Sequence, residues 1–194
     1  MLLTSLWLFF VCVLAILATP GPTNTLLWSS GALHGLRASL HLLLAEITGY
    51  LLSISAMRVL GEPLFKSEPL FGTLLKLAVA AYLVLQAWRL WRNPQASPQT
   101  SPRSVGLRQV FTTTLLNPKS AVFAFGVLPP FSDAAGALPY FLIFITTVPF
   151  IGSLWIILGH SVRATRMGMP ALRRLSAAAL CAIAALLTGS AILS

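Results

Sequence analysis

The long apolar run from Leu2 to Leu33 is interrupted by Thr19-Pro20-Gly21-Pro22-Thr23-Asn24. A run of that length is enough to cross a bilayer as one helix, but two prolines flanking a glycine stop the helix partway. Each proline lacks a backbone donor and clashes with the preceding turn. In hydrocarbon the backbone groups freed in this way must find partners inside the protein, so the break must be buried or line a polar cavity. Membrane transporters hold their solutes at such discontinuous helices.

Composition agrees with a membrane setting. The chain is 57% hydrophobic and 9% charged, where a soluble domain carries about 25% charged residues. Thirteen Lys and Arg against four Asp and Glu give a net charge of +9. In a soluble protein such a balance would suggest nucleic acid. Here the basic residues flank apolar segments and are read as orientation signals, with no nucleic-acid partner expected. Cys12 and Cys181 lie in apolar segments without metal-type spacing and are expected to be small buried hydrophobes. The stretch from Leu2 to Ala18 has no basic residue ahead of it, so it is expected to be a retained first helix rather than a signal peptide.

Six segments are long enough to span. They cover about Leu3–Leu33, Ser39–Met57, Phe71–Leu90, Val110–Leu128, Leu138–Leu158 and Leu175–Leu193. The expected fold is an all-α integral membrane protein of six transmembrane helices in a single domain. Arg37, Arg89, Arg92, Arg103, Arg108, Arg163, Arg166, Arg173, Arg174 and Lys119 fall on one side; Arg58, Lys66 and Lys76 fall on the other, beside Glu62, Glu68 and Asp133. The richer side is expected to be cytoplasmic, which puts both termini outside.

A Pro-, Ser-, Gln- and Thr-rich linker, Asn93 to Ser104, divides the chain into halves of three segments. The expected organisation is repeat 1 over about 1–92, a cytoplasmic linker over about 93–108, and repeat 2 over about 109–194. An odd number of spans per half makes related halves inverted repeats. The fourth segment carries its own interruption, Asn117-Pro118-Lys119, and Pro118 lies 98 residues after Pro20. After each motif about a dozen residues remain, roughly 18 Å of helix, or about half a bilayer. Both breaks are therefore expected near the midplane, approached from opposite sides.

Glu46 is the only acidic residue deep in a span. A charge there costs about 2.5–3.5 kcal/mol even on insertion scales. It must face a cavity or a partner, or be protonated. It is a candidate proton carrier, or a neutral carboxyl bonded to a freed carbonyl. Lys119 is the reciprocal cation. With Asn117 it could present donors to a solute carboxylate; otherwise its stem reaches the cytoplasmic interface. Thr23, Asn24 and Thr25 open the half-helix after the first break, whose free amides and positive end suit an anionic group, although Thr and Asn also serve as ordinary caps. Gly31, Gly35 and Ser39, like Ala45, Gly49 and Ser53, recur every four residues and point to close helix packing. Tyr82 could line the cavity or pack in the core. Pro149 is expected to kink the fifth helix. His34, His41 and His160 have no metal-ligand spacing, and no nucleophile elbow, phosphate loop or HExxH is present. No metal, cofactor or catalytic residue is expected.

Thr19-Pro20-Gly21-Pro22, with the serines and Gly35-Leu36-Arg37 that follow, resembles the first-helix signature of the LysE/RhtB family of amino-acid exporters. Leu75 to Arg92, with Tyr82-Leu83 and Trp88, is similar to that family's third helix. Leu116-Asn117-Pro118-Lys119 and the aromatic run to Leu128-Pro129 are similar to its fourth, and Gly159-His160 before a basic loop also has parallels. The resemblance covers nearly the whole chain. It implies a bacterial inner-membrane exporter of six helices, driven by the proton gradient, with amino acids or close derivatives as solutes and room for a homodimer. Family members often have glycine where Ala45 stands, and some have an acidic residue where Tyr50 stands; here Glu46, one turn earlier, is the available carboxylate.

Pro20, Gly21, Pro22, Thr23, Asn24, Asn117, Pro118, Lys119 and Tyr82 are thus the expected solute-site residues, and Glu46 the expected proton-coupling residue. The competing readings are a divalent cation exporter of related architecture and an assembly subunit without a solute. The first would need several intramembrane carboxylates or histidines.

Overall fold

A computed structural model describes residues 6–67, 69–92, 105–129, 134–162 and 169–192. The linker from Asn93 to Ser104, which includes Arg103, and Glu68, Asp133, Arg163 and Arg166 of the charge pattern lie outside the described residues. Among those described, all regular structure is helical. The elements are α1 (Leu6–Ala18), α2 (Pro22–His34), α3 (Leu36–Ser39), α4 (Leu42–Ser67), α5 (Pro69–Arg92), α6 (Leu107–Leu115), α7 (Pro118–Ala121), a π-helical turn (Val122–Val127), α8 (Ala134–Val162) and α9 (Met169–Ile192).

Two described helices are long and apolar enough to cross a bilayer, over Leu36–Gly61 and Ala135–Ser161. The pair α1 and α2 passes the same test together and is bent by 61° at its break. Apolar side chains cover the outside of the bundle, among them Trp7, Leu44, Val59 and Leu60. An apolar surface that continuous is unfavourable in water and matches lipid. Cys12 is buried, but Cys181 is exposed rather than buried. In a bilayer the outward face of an apolar helix accepts a thiol as readily as the core does.

The first break follows from its prolines. Pro22 has no amide to offer the preceding turn, so side chains take over the carbonyls at the end of α1. Thr19 Oγ1 donates to Ala15 O at 2.9 Å. Asn24 Nδ2 donates to Leu17 O at 2.7 Å and to Thr19 O at 2.8 Å. At the second break Pro118 leaves the same deficit. Ser53 of α4 donates to Leu115 O at 2.8 Å, and Asn117 caps α7 by accepting from the Lys119 amide at 3.0 Å. The span then continues as a π-helical turn, where Leu128 N donates to Phe123 O. In that register the next donor would be residue 129, a proline. Arg58 supplies the missing bonds, from Nη1 to Ala124 O at 3.2 Å and from Nη2 to Pro129 O at 2.7 Å. Helix α8 runs on through Pro139 and Pro149.

The most extensive helix contacts are α5 with α9, α2 with α8, and α4 with α6. Glycines set two of them. A Cβ at Gly31 would lie 2.9 Å from the Ile156 carbonyl carbon, and one at Gly159 would lie 2.8 Å from that of Trp28. Leu27 against Gly152, Gly31 against Ile156 and Gly35 beside His160 give a parallel register advancing four residues at a time. Gly49 likewise lets α4 approach the Phe111 carbonyl of α6, 3.1 Å from its would-be Cβ. The small-residue spacing therefore serves packing. Gly35, at φ 86°, is the turn between α2 and α3, a conformation that favours glycine.

Candidate functional site

The two breaks meet in the centre of the bundle. Lys119 Nζ, on α7, donates to Thr19 O at 2.5 Å, a carbonyl left over from the end of α1. Asn117 Nδ2 donates to Thr23 Oγ1 at 3.0 Å, joining the second break to the first turn of α2. Thr23 Oγ1 lies 3.1 Å from Thr114 Oγ1 of α6, and Asn117 Nδ2 also reaches Tyr50 Oη of α4 at 3.5 Å. Five elements, α1, α2, α4, α6 and α7, are tied by one polar network whose members are almost fully buried. Removing one partner of such a network leaves the others unsatisfied, at about 1–3 kcal/mol per buried group. Asn117→Ala is therefore expected to lower thermal stability in detergent, because it deletes a helix cap worth about 1 kcal/mol and the bond to Thr23. Asn117→Asp, which keeps the cap but not the donor, should lose less.

Pro20, Gly21, Pro22, Asn117 and Lys119 line a cleft together with Thr19, Tyr82 and Gln86. Its apolar walls come from Ile16, Leu83 and Leu180. The open space is about 20 Å³, roughly enough for one water. A solute of amino-acid size needs the walls to part. Gln86 Nε2 donates to Tyr82 Oη at 2.5 Å, which leaves the phenol hydrogen free to act as a donor. Lys119 is 7% exposed, and its aliphatic end lies over Gly21, whose missing Cβ would be 3.1 Å from Cε and 3.3 Å from Nζ. A larger residue at 21 would crowd the lysine.

Other expected residues take different places. Asn24 commits its amide to the carbonyls of Leu17 and Thr19 and braces the break. Thr23 is held by Asn117 and Thr114. The backbone amides of Thr23 and Asn24 have no acceptor among the described residues. Pro118 shapes the start of α7 without lining the cleft. Glu46 lies away from the cleft wall, 1% exposed, and its Oε2 has no hydrogen-bond partner among the described residues. It forms no ion pair with Lys119, although the two are close enough for each charge to act on the other. Tyr50, Thr114 and Gln86 complete the surroundings. Nothing local in the sequence singles them out, because each is selected by contacts across the bundle.

An all-helical bundle with a lipid-matched exterior, and a buried polar centre where two interrupted helices meet, defines a membrane protein of the translocating class. The family model for LysE type translocators matches residues 14–193, and the chain belongs to that family. Similar proteins include a cysteine/O-acetylserine efflux protein of Salmonella paratyphi A, 29% identical over 131 residues, or 68% of this chain and 66% of the relative. One of the same description from Klebsiella pneumoniae is 28% identical over 163 residues, covering 81% and 82% of the two chains. Another, from Escherichia coli, is 28% identical over 128 residues and 66% of each. The chain thus spans slightly less than two thirds of the Salmonella relative. No solved structure matches the chain significantly.

Proposed function

We propose that the chain is a secondary transporter that exports an amino acid or close derivative from the cytoplasm across a bacterial inner membrane, in exchange for protons. The observation that carries this reading is the bond from Lys119 to Thr19 O, which brings the two breaks onto one shared carbonyl. A solute carboxylate arriving in the cleft would replace that carbonyl as the lysine's partner. Thr19 O would keep its bond from Asn24, so the exchange leaves no buried carbonyl bare. Gln86, Tyr82 and Asn117 are the other polar groups of the cleft, and among the described residues no carboxylate lines it. Such a lining suits a small solute with a neutral side chain better than a lysine or arginine. The named relatives, which are cysteine and O-acetylserine efflux proteins, point the same way.

In this reading Glu46 carries the proton. Ionised, it attracts the ammonium of a zwitterionic solute and offsets Lys119. Protonated from outside, it no longer does so, and the solute leaves. Glu46→Gln fixes the neutral form. It is expected to abolish uphill export driven by an imposed pH gradient while solute–solute exchange across proteoliposomes persists. Gradient-driven export by the glutamine variant at the native rate would end the role assigned to Glu46.

The transporter is read as six crossings in two inverted halves, with both termini outside. The parallel register of α2 and α8 supports this, since the first and fifth of six alternating crossings run in the same direction. A cation exporter finds no comparable support. Among the described residues no three His, Cys, Asp or Glu gather as a metal site. The decisive experiment is efflux from vesicles loaded with a panel of amino acids, with and without a proton uncoupler. Export of small neutral amino acids that collapses with the uncoupler is the expected result. Export indifferent to the uncoupler refutes the coupling, and export of none refutes the function.

A further inference from the structure

Among the described residues, the two buried charged side chains, Glu46 and Lys119, both rest against a glycine. Lys119 lies over Gly21, which belongs to the cleft. Glu46 lies over Gly152 of α8, which does not. A Cβ built on Gly152 would fall on Oε2 of Glu46, inside any tolerable contact, and would also meet Leu43 Cδ2 at 2.6 Å and Leu27 Cδ1 at 3.3 Å. The carboxylate therefore occupies the volume that a side chain at 152 would fill. This niche is closed by α2 and α8 and by the preceding turn of α4. The atoms nearest the would-be Cβ besides the carboxylate are the aliphatic ends of Leu43 and Leu27, and Oε2 finds no hydrogen-bond partner among the described residues. Gly152 lies deep inside α8, 18 residues from its start, where glycine costs about 1 kcal/mol relative to alanine. The conformation of the helix does not explain its presence, whereas the carboxylate does.

We propose that Gly152 is a positioning residue for Glu46: the missing side chain forms a dry niche that holds the carboxyl group at the α2–α4–α8 junction, where it can take and give up the transported proton. This rests on the coupling role given to Glu46 above. The ionisable groups that act on the carboxylate are Lys119 from α7 and Tyr50 from its own helix. Near the niche α2 contributes Leu27 and α8 contributes Gly152. A change at 152 therefore acts on Glu46 through space and not by adding or removing a charge.

The test compares four proteins reconstituted in liposomes: wild type, Gly152→Ala, Gly152→Ala with Glu46→Asp, and Gly152→Ala with Leu43→Ala. The alanine pushes the glutamate out of its niche, and displacements of about 1 Å at a functional group cost up to roughly a hundredfold in rate. Export by Gly152→Ala is expected to fall by that order, with its pH profile displaced. The shorter aspartate should restore a large part of the rate and the profile. Leu43→Ala relieves the crowding with Leu43 but not with the carboxylate, and should restore folding alone. A second readout does not depend on transport. Dicyclohexylcarbodiimide reacts with protonated carboxyls in apolar surroundings, and the fraction of the carboxyl at position 46 that it labels against pH can be read by mass spectrometry in each protein. The proposal requires that curve to move in Gly152→Ala. It is overturned if the curve does not move, or if Leu43→Ala rescues export as well as Glu46→Asp does. A wild type that labels as expected but exports no amino acid would refute the exporter reading and leave the niche in place.

Discussion

Lys119→Met is expected to abolish the proposed export and to leave a folded protein in the membrane. Methionine keeps the length and apolar character of the stem over Gly21 and removes only the donors. The structural loss is small because Thr19 O retains its bond from Asn24 Nδ2 at 2.8 Å, and because the cap of α7 uses the Lys119 amide rather than its side chain. The functional loss is large. A buried charge that meets a solute carboxylate is worth about 2–5 kcal/mol, or roughly 30- to several-thousand-fold in binding. Solute-induced stabilisation in detergent should therefore disappear, while the thermal midpoint of the solute-free protein stays near that of wild type. Lys119→Arg is expected to fail as well, since the broader guanidinium has to fit where Cε and Nζ already approach Gly21 closely. Retained export by the methionine variant would remove the solute from this end of the cleft.

The two interruptions were legible because proline has one physical effect wherever it falls: it withholds a donor, and in lipid that deficit must be filled locally. Thr19-Pro20-Gly21-Pro22 and Asn117-Pro118-Lys119 therefore read as breaks without any knowledge of their surroundings. The helices around them were readable to within a few residues from apolar length alone, although α4 runs to Ser67, well beyond the expected end at Met57. The partners that the breaks find across the bundle were not legible. Ser53, which donates to Leu115 O, and Tyr50 and Thr114, which join the network of Asn117 and Thr23, matter only because α4 and α6 pack against each other. The π-helical turn was equally hidden, since the arrangement around Pro129 depends on Arg58, 71 residues away. Asn24 illustrates a different limit. Its residue type suggested a cap or a ligand, and the structure gives its amide to the carbonyls of α1. The sequence identified Glu46 as costly but could not show its niche, because Gly152 lies more than a hundred residues downstream with nothing nearby to mark it.

Gly159→Ala is expected to be the most destabilising single methyl that can be added to this bundle, with Gly31→Ala close behind. At both positions the added carbon meets the backbone of the opposite helix and not a side chain that could rotate away: the Trp28 carbonyl and the Ala32 amide for Gly159, the Ile156 carbonyl for Gly31. Overpacking ordinarily costs about 1–3 kcal/mol, and a backbone contact belongs at or above the upper end, because whole helices must separate. The comparison is Gly189→Ala, where nothing lies within 4 Å of the new carbon and a helical Gly→Ala change favours the fold by about 1 kcal/mol. Thermal midpoints in detergent should therefore move in opposite directions for two changes of identical chemistry. Equal midpoints for Gly159→Ala and Gly189→Ala would mean that α2 and α8 are not in backbone contact. The double variant Gly31→Ala, Gly159→Ala should lose less than the two singles together, since one methyl already forces apart the surfaces the other would meet. Separation has a further consequence. Gly152 lies on the same α8, against Leu27 of the same α2, so parting the helices lifts the niche away from Glu46. Those variants that still fold should export poorly and show a pH profile displaced in the manner of Gly152→Ala.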